Sequence, residues 1–245
     1  MGALAGLLRK GDTAVLDDRS HMSLIEGTRL SQAQLKLFLH NDATSLDEAL
    51  SSAEGRRRVV VLEGIYSVDG DTANLPALLD VAERHHVGVL IDEAHSMLTA
   101  GPTGGGLTEE FGAGKRITLF YGTFSKAFAG VGGFVAGPTP TIDYLRVYAN
   151  TYGFSCALPP SVVGGLLAAL DVAKGDGSLR ECLWDRAAYF RAGLHRLGLD
   201  SGGSTTQVVP IIIGSNRRLL YEFGNELLRR GLFSGSGGLS VGGAR

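Results

Sequence analysis

The sequence predicts an α/β protein built on a mostly parallel sheet, and three observations carry that prediction. Short apolar runs bounded by polar turns alternate with segments that carry leucine and alanine at helix spacing. The runs are continuously apolar instead of alternating, as expected of strands covered by helices on both faces. Chemically active side chains, Glu63, Asp92 and the Thr123 to Lys126 loop, follow directly after such runs. That is the carboxyl edge of a parallel sheet, where ligands collect.

Taken in order, residues 1–8 are apolar and read as a helix entering the turn at Gly11-Asp12. Strands are expected at 14–16, 59–62, 87–91, 117–120 and 134–136, with helices at 45–53 and 75–85 between them. After Ser155-Cys156-Ala157-Leu158-Pro159-Pro160 the pattern changes. Pro160 suits the first turn of a helix through residue 172, stopped at Gly175-Asp176-Gly177. A helix over 179–197, a strand over 207–213 and a helix over 217–230 would start a smaller domain. The organisation is therefore a large domain over 1–175, a partial α+β domain over 176–233 and a flexible tail over 234–245. That tail has five glycines in twelve residues and no core pattern.

Composition narrows the function classes. The 245 residues are 44% hydrophobic, enough for a substantial core. A formal charge of -2, from 23 basic and 25 acidic residues, gives no reason to expect a nucleic acid or an anionic membrane as partner. Cys156 and Cys182 lack metal-ligand spacing, so no metal is expected and a reducing, cytoplasmic compartment is the simpler reading. In the opening segment Arg9 and Lys10 follow the apolar stretch, the reverse of a signal peptide, and the stretch is too short to span a bilayer.

Two segments carry the chemistry. Asp92-Glu93-Ala94-His95 could be the acidic box of an ATPase, but that needs an upstream phosphate loop. The nearest candidate, Gly112-Ala113-Gly114-Lys115-Arg116, lies downstream and ends in the wrong residue. Gly122-Thr123-Phe124-Ser125-Lys126 instead supplies a lysine from a neighbouring strand end. Lysine, aspartate and histidine so grouped point to pyridoxal phosphate. Lys126 would attack the aldehyde as a neutral amine, its pKa lowered by burial from about 10.4. Asp92 would pair with the pyridine nitrogen and His95 with the phenolic oxygen. Thr123 and Ser125 would offer donors to the phosphate. His21, after the first strand, could lie flat on the ring, or be a loop histidine satisfied by Asp17 or Asp18. Ser67, before the Asp69-Gly70-Asp71 turn, is a further candidate contact.

In this order the segments resemble the α-oxoamine synthase family of fold type I pyridoxal-phosphate enzymes. The resemblance runs from Gly2 to about Phe233 through His21-Met22-Ser23, His40-Asn41-Asp42, Glu63 with Ser67 to Asp71, Asp92 to His95, Thr123 to Lys126, and Ser155 with Pro159-Pro160. The lysine loop with Val131-Gly132-Gly133 looks closest to the serine palmitoyltransferase branch. The resemblance implies a fold type I transferase, Lys126 as the cofactor lysine, Asp92 on the pyridinium and His21 on the ring face. It implies His95 and Ser67 near the phenolic oxygen or substrate, Thr123 and Ser125 on phosphate, and Ser155 reaching the partner subunit's cofactor in a homodimer. The implied reaction condenses an amino acid with an acyl-CoA or acyl-carrier thioester and loses carbon dioxide, leaving an aminoketone. A noncatalytic cofactor-binding or dimerising remnant, or an aminotransferase of the same fold, are the alternatives. Relatives of this kind extend upstream and downstream of the matched region, so a fragment is expected. They also carry an arginine where this chain has Gly105.

Overall fold

The computed structural model describes residues 1–235, so most of the expected tail, residues 236–245, lies outside the described residues. Six strands form one sheet in the order β2-β1-β3-β4-β5-β6. They are β1 (Thr13–Asp17), β2 (Gln34–Phe38), β3 (Arg58–Glu63), β4 (Gly88–Asp92), β5 (Leu119–Thr123) and β6 (Gly133–Ala136). The first five are parallel, and β6 returns antiparallel to β5 at the edge.

Helices cover both faces, which is why the strands read as unbroken apolar runs. Successive side chains on a strand point to opposite faces. Val60 and Leu62 pack with Val15, Val89 and Ile91 against α3 (Ala43–Ser51) and α4 (Leu75–Arg84). Val61 packs with Ala14, Leu16, Leu90 and Leu119 against α1 (Gly2–Leu7) and α2 (Met22–Leu30). The helix α3 begins at Asp42, whose carboxylate accepts the Thr44 and Ser45 N–H groups at 2.8 and 3.0 Å.

Beyond the central strands come the single turn α5 (Leu107–Glu110), then α6 (Thr139–Tyr148), α7 (Asn150–Gly153), α8 (Pro160–Gly175), α9 (Ser178–Arg196) and α10 (Arg217–Arg229). Among the described residues, no helix is long and apolar enough to cross a membrane.

Three differences from the sequence reading have physical causes. The segment expected as a strand at 207–213 forms no regular element and joins no sheet. Its neighbourhood is tied down by other partners: Thr205 and Thr206 donate to the Gly70 carbonyl, and the Ile212 N–H donates to Asp200. The pair α2 and β2 went unread because β2 (Gln-Leu-Lys-Leu-Phe) sits at the sheet edge and mixes polar with apolar residues. Helix α8 continues to Gly175, past the expected end at residue 172.

Candidate active site

Three neighbouring strands end in buried carboxylates: Asp17 on β1, Glu63 on β3 and Asp92 on β4, exposed by 0, 2 and 5%. Glu63 and Asp92 are register partners. The three acids differ in what already satisfies them.

Asp17 is saturated. It accepts from the Arg19 and Asn41 N–H groups, from the Tyr66 hydroxyl at 2.9 Å and from His40 Nδ1 at 2.9 Å. His40 Nε2 reaches Asp71 at 2.8 Å. Burial alone would lower the His40 pKa, but hydrogen bonds to Asp17 and Asp71 and their charges outweigh it and raise it to about 10. Asp17, Asp18 and His40 each place one ligand-type atom within 4.8 Å of the others. An imidazolium with both nitrogens engaged has no lone pair for a metal, so the cluster is a structural network.

Asp92 is different. Its one protein donor among the described residues is the Ala94 N–H, on Oδ1 at 2.9 Å, which leaves Oδ2 with no protein donor. Burial raises its pKa to about 6, against the Ala94 N–H and the Lys126 charge. The adjacent Glu93 has an unrelated role. It accepts from the Leu107 and Thr108 N–H groups at 3.1 and 2.9 Å, and from the Thr108 and Ser96 hydroxyls, so it anchors the start of α5. Gly106 permits that approach, with φ of +92° and no room for a Cβ beside the Glu93 carboxylate.

Lys126 lies on the loop between β5 and β6. Its ammonium pKa is lowered by burial and raised back in part by Asp92 and Glu63. Its charge acts in turn on His21 and His95. His95 is pushed down to about 4, by burial first and then by Lys126 and His21, so it is neutral at pH 7. On the same loop the Thr123 and Ser125 hydroxyls meet at 2.8 Å. The Ser125 N–H also donates to Thr123 Oγ1, at 3.3 Å.

His21 is the N-cap of α2, and its Nδ1 accepts the Ser23 N–H at 3.2 Å and contacts Ser23 Oγ at 2.8 Å. The alternative that Asp17 or Asp18 satisfies its ring does not hold, because the ring partner is Ser23 and Asp17 is taken by His40. The structure therefore brings His21, Asp92, His95, Thr123, Ser125 and Lys126 to one edge of the sheet. Ser67 sits half-buried in the turn that follows β3. Ser155 stands apart: it is exposed and donates to the Thr151 carbonyl at 2.6 Å.

Glu63 is the site residue that sequence reasoning left without a role. It is buried beside Asp92 and Lys126, and burial raises its pKa to about 8. Its place at the end of an apolar run was the available signal. Residues from far along the chain also steady the site. Gln207 donates to the His95 carbonyl and Trp184 to the Thr99 carbonyl, both at 2.7 Å, fixing the loop after β4. Gly105 donates its N–H to Glu109 at 2.8 Å in that same region.

The description Aminotransferase class I and II matches residues 2–232. The 8-amino-7-oxononanoate synthase of Thermoanaerobacter pseudethanolicus is 36% identical over 236 residues, which cover 96% of this chain and 60% of the relative. The 8-amino-7-oxononanoate synthase 1 of Bacillus subtilis shows the same identity and the same coverage. Among solved structures, Sphingomonas wittichii serine palmitoyltransferase superposes with a TM-score of 0.89 at 31% identity, covering 99% of this chain and 61% of that one. The serine palmitoyltransferase of S. paucimobilis, solved with a bound PLP-myriocin aldimine, also gives 0.89, at 33% identity and 95% and 61% coverage. The chain thus spans about 60% of the length of these relatives.

Proposed function

The chain belongs to the aminotransferase class I and II family, in its α-oxoamine synthase group, and from that membership we propose that it binds pyridoxal phosphate through Lys126. The protein of which it carries these elements would then condense an amino acid with an acyl thioester, with loss of carbon dioxide. The observation that carries the reading is the pairing of an amine with a buried acid. Lys126 stands near Asp92, whose Oδ2 has no protein donor among the described residues although the residue is 5% exposed. A carboxylate so placed fits a ligand that brings its own N–H.

When bound, the cofactor supplies an electron sink for the carbanion left at the amino-acid α carbon. Asp92 would hold the proton of the ring nitrogen and keep that sink cationic. Lys126, with its ammonium destabilised by burial, would hold the cofactor through Nζ as a neutral amine, and the same Nζ would be the group that holds the substrate's α proton. His21 would lie on the ring face as a neutral imidazole, with neutral His95 and Ser67 turned to the phenolic oxygen or the substrate. The Thr123 and Ser125 hydroxyls would orient the phosphate. The acyl donor would be an acyl-CoA or acyl-carrier thioester, and the palmitoyltransferase name of one relative supports the transfer of an acyl group.

A cytoplasmic homodimer completes the reading, with Ser155 turned to the partner's cofactor. Large apolar side chains on α6, on α7 and just before Ser155 are solvent-exposed, including Val147, Tyr152 and Phe154, the last by 89%. Such a patch supports a subunit contact.

Adding pyridoxal phosphate to the purified chain is expected to give a visible absorption band that borohydride removes and that Lys126→Ala abolishes. A spectrum equal to free cofactor, or an unchanged band in Lys126→Ala, would sink the assignment. Amino-acid-dependent release of thiol from an acyl-CoA tests the condensation separately.

A further inference from the structure

His21 is held at two points by residues that have had no assigned role. The Glu63 carboxylate takes its main-chain N–H, and Ser23 takes its ring. Each point constrains a different degree of freedom. A side-chain acceptor for the main-chain N–H, placed at the end of β3 in the middle of the sheet, fixes how far the His21 backbone stands from the strand ends. Because Nδ1 accepts the Ser23 N–H, the proton of the neutral ring belongs on Nε2, and the χ angles of His21 are set by the first turn of α2.

We propose that Glu63 and Ser23 are positioning residues that clamp His21 in one backbone position and one tautomer, Nε2–H, before any ligand arrives. Glu63 suits this task because it is 2% exposed and the His21 N–H is its one hydrogen-bond donor among the described residues. The Asp17 carboxylate beside it is already saturated and cannot substitute. Burial and the Lys126 charge both lower the His21 pKa, in agreement with a neutral ring. The consequence for function rests on the cofactor reading above: a preset imidazole plane presents one face to an aromatic ligand without ordering cost on binding.

The clamp can be tested without turnover. In the full chain labelled with nitrogen-15 histidine, His21 is expected in the Nε2–H tautomer, with a protected main-chain amide. Glu63→Leu, which keeps the bulk and removes the acceptor, should speed His21 amide exchange by about tenfold and weaken pyridoxal phosphate binding by a similar factor. Glu63→Gln, which keeps an acceptor oxygen, should rescue both. Ser23→Pro, which removes the main-chain N–H that Nδ1 accepts within the first turn of α2, should leave the His21 amide protected and mix the tautomers. Unchanged amide exchange in Glu63→Leu, or Glu63→Gln failing as badly as Glu63→Leu, would overturn the proposal. If Glu63→Leu does not fold, the tautomer in Ser23→Pro decides, and a ring unaffected there rejects the clamp. The amide and tautomer measurements need no cofactor. Failure of the chain to bind pyridoxal phosphate would reject the function proposed above while leaving the clamp to its own result.

Discussion

Adjacent acids in one short motif serve different ends. Asp92 and Glu93 are equally buried, yet among the described residues Asp92 has a single protein donor and Glu93 has four. Replacing Glu93 by Ala would leave the Leu107 and Thr108 N–H groups buried without acceptors, so Glu93→Ala is expected to lower stability by at least about 2 kcal/mol. Asp92→Asn should do the reverse. Its folded-state pKa, raised to about 6 by burial, means that the ionised form is held at a cost at pH 7. The neutral amide relieves that cost, so unfolding in urea should show equal or greater stability while cofactor affinity drops. A large loss of stability in Asp92→Asn would place Asp92 with Glu93 as a structural residue.

Local chemistry decides where the elements begin and which turns can form. The Asp42 cap satisfies two N–H groups at the start of α3, and Asp42→Ala should cost about 1 kcal/mol, read as a lowered unfolding midpoint. Gly70 is more constrained. Its φ is +71°, its carbonyl accepts from Thr205 and Thr206, and a Cβ there would clash with the Val208 carbonyl. Gly70→Ala should therefore cost more than about 1 kcal/mol and loosen the 204–208 segment from the turn after β3. The Asp69-Gly70-Asp71 turn was legible in the sequence because glycine and aspartate are turn formers. The contact from residue 206 was not, since nothing local to either segment encodes a partner about 136 residues away.

Across the whole molecule, the buried ionisable groups set how stability depends on pH. His40 has a folded-state pKa of about 10 against an ordinary 6.5, so its contribution is complete below pH 6.5 and is lost as pH rises to about 10. Glu63, raised from 4.5 to about 8, also makes the folded chain the better proton binder, so stability falls over that interval too. His95, lowered from 6.5 to about 4, acts the other way, and its contribution is regained as pH rises through that range. Urea unfolding should therefore show a decline from neutral pH to about pH 9.5, and His40→Gln, which cannot carry the charge, should flatten it. An alkaline slope that persists unchanged in His40→Gln would contradict the assignment.

The sequence by itself determined the class of fold and most of the site. Continuous apolar runs such as 87–91 and helix-spaced leucines at 75–85 are local properties, and a parallel sheet delivers whatever follows each run to one edge. Asp92, His95 and Lys126 were therefore readable together. The tertiary structure alone decided how each group is satisfied: that His40 and not His21 pairs with Asp17, that Glu93 anchors a helix, that residues 207–213 join no sheet, and that Glu63 holds the His21 main chain. These are contacts between segments distant in sequence, and their energies depend on burial and on the geometry of neighbouring strands, which exist only once the chain has packed.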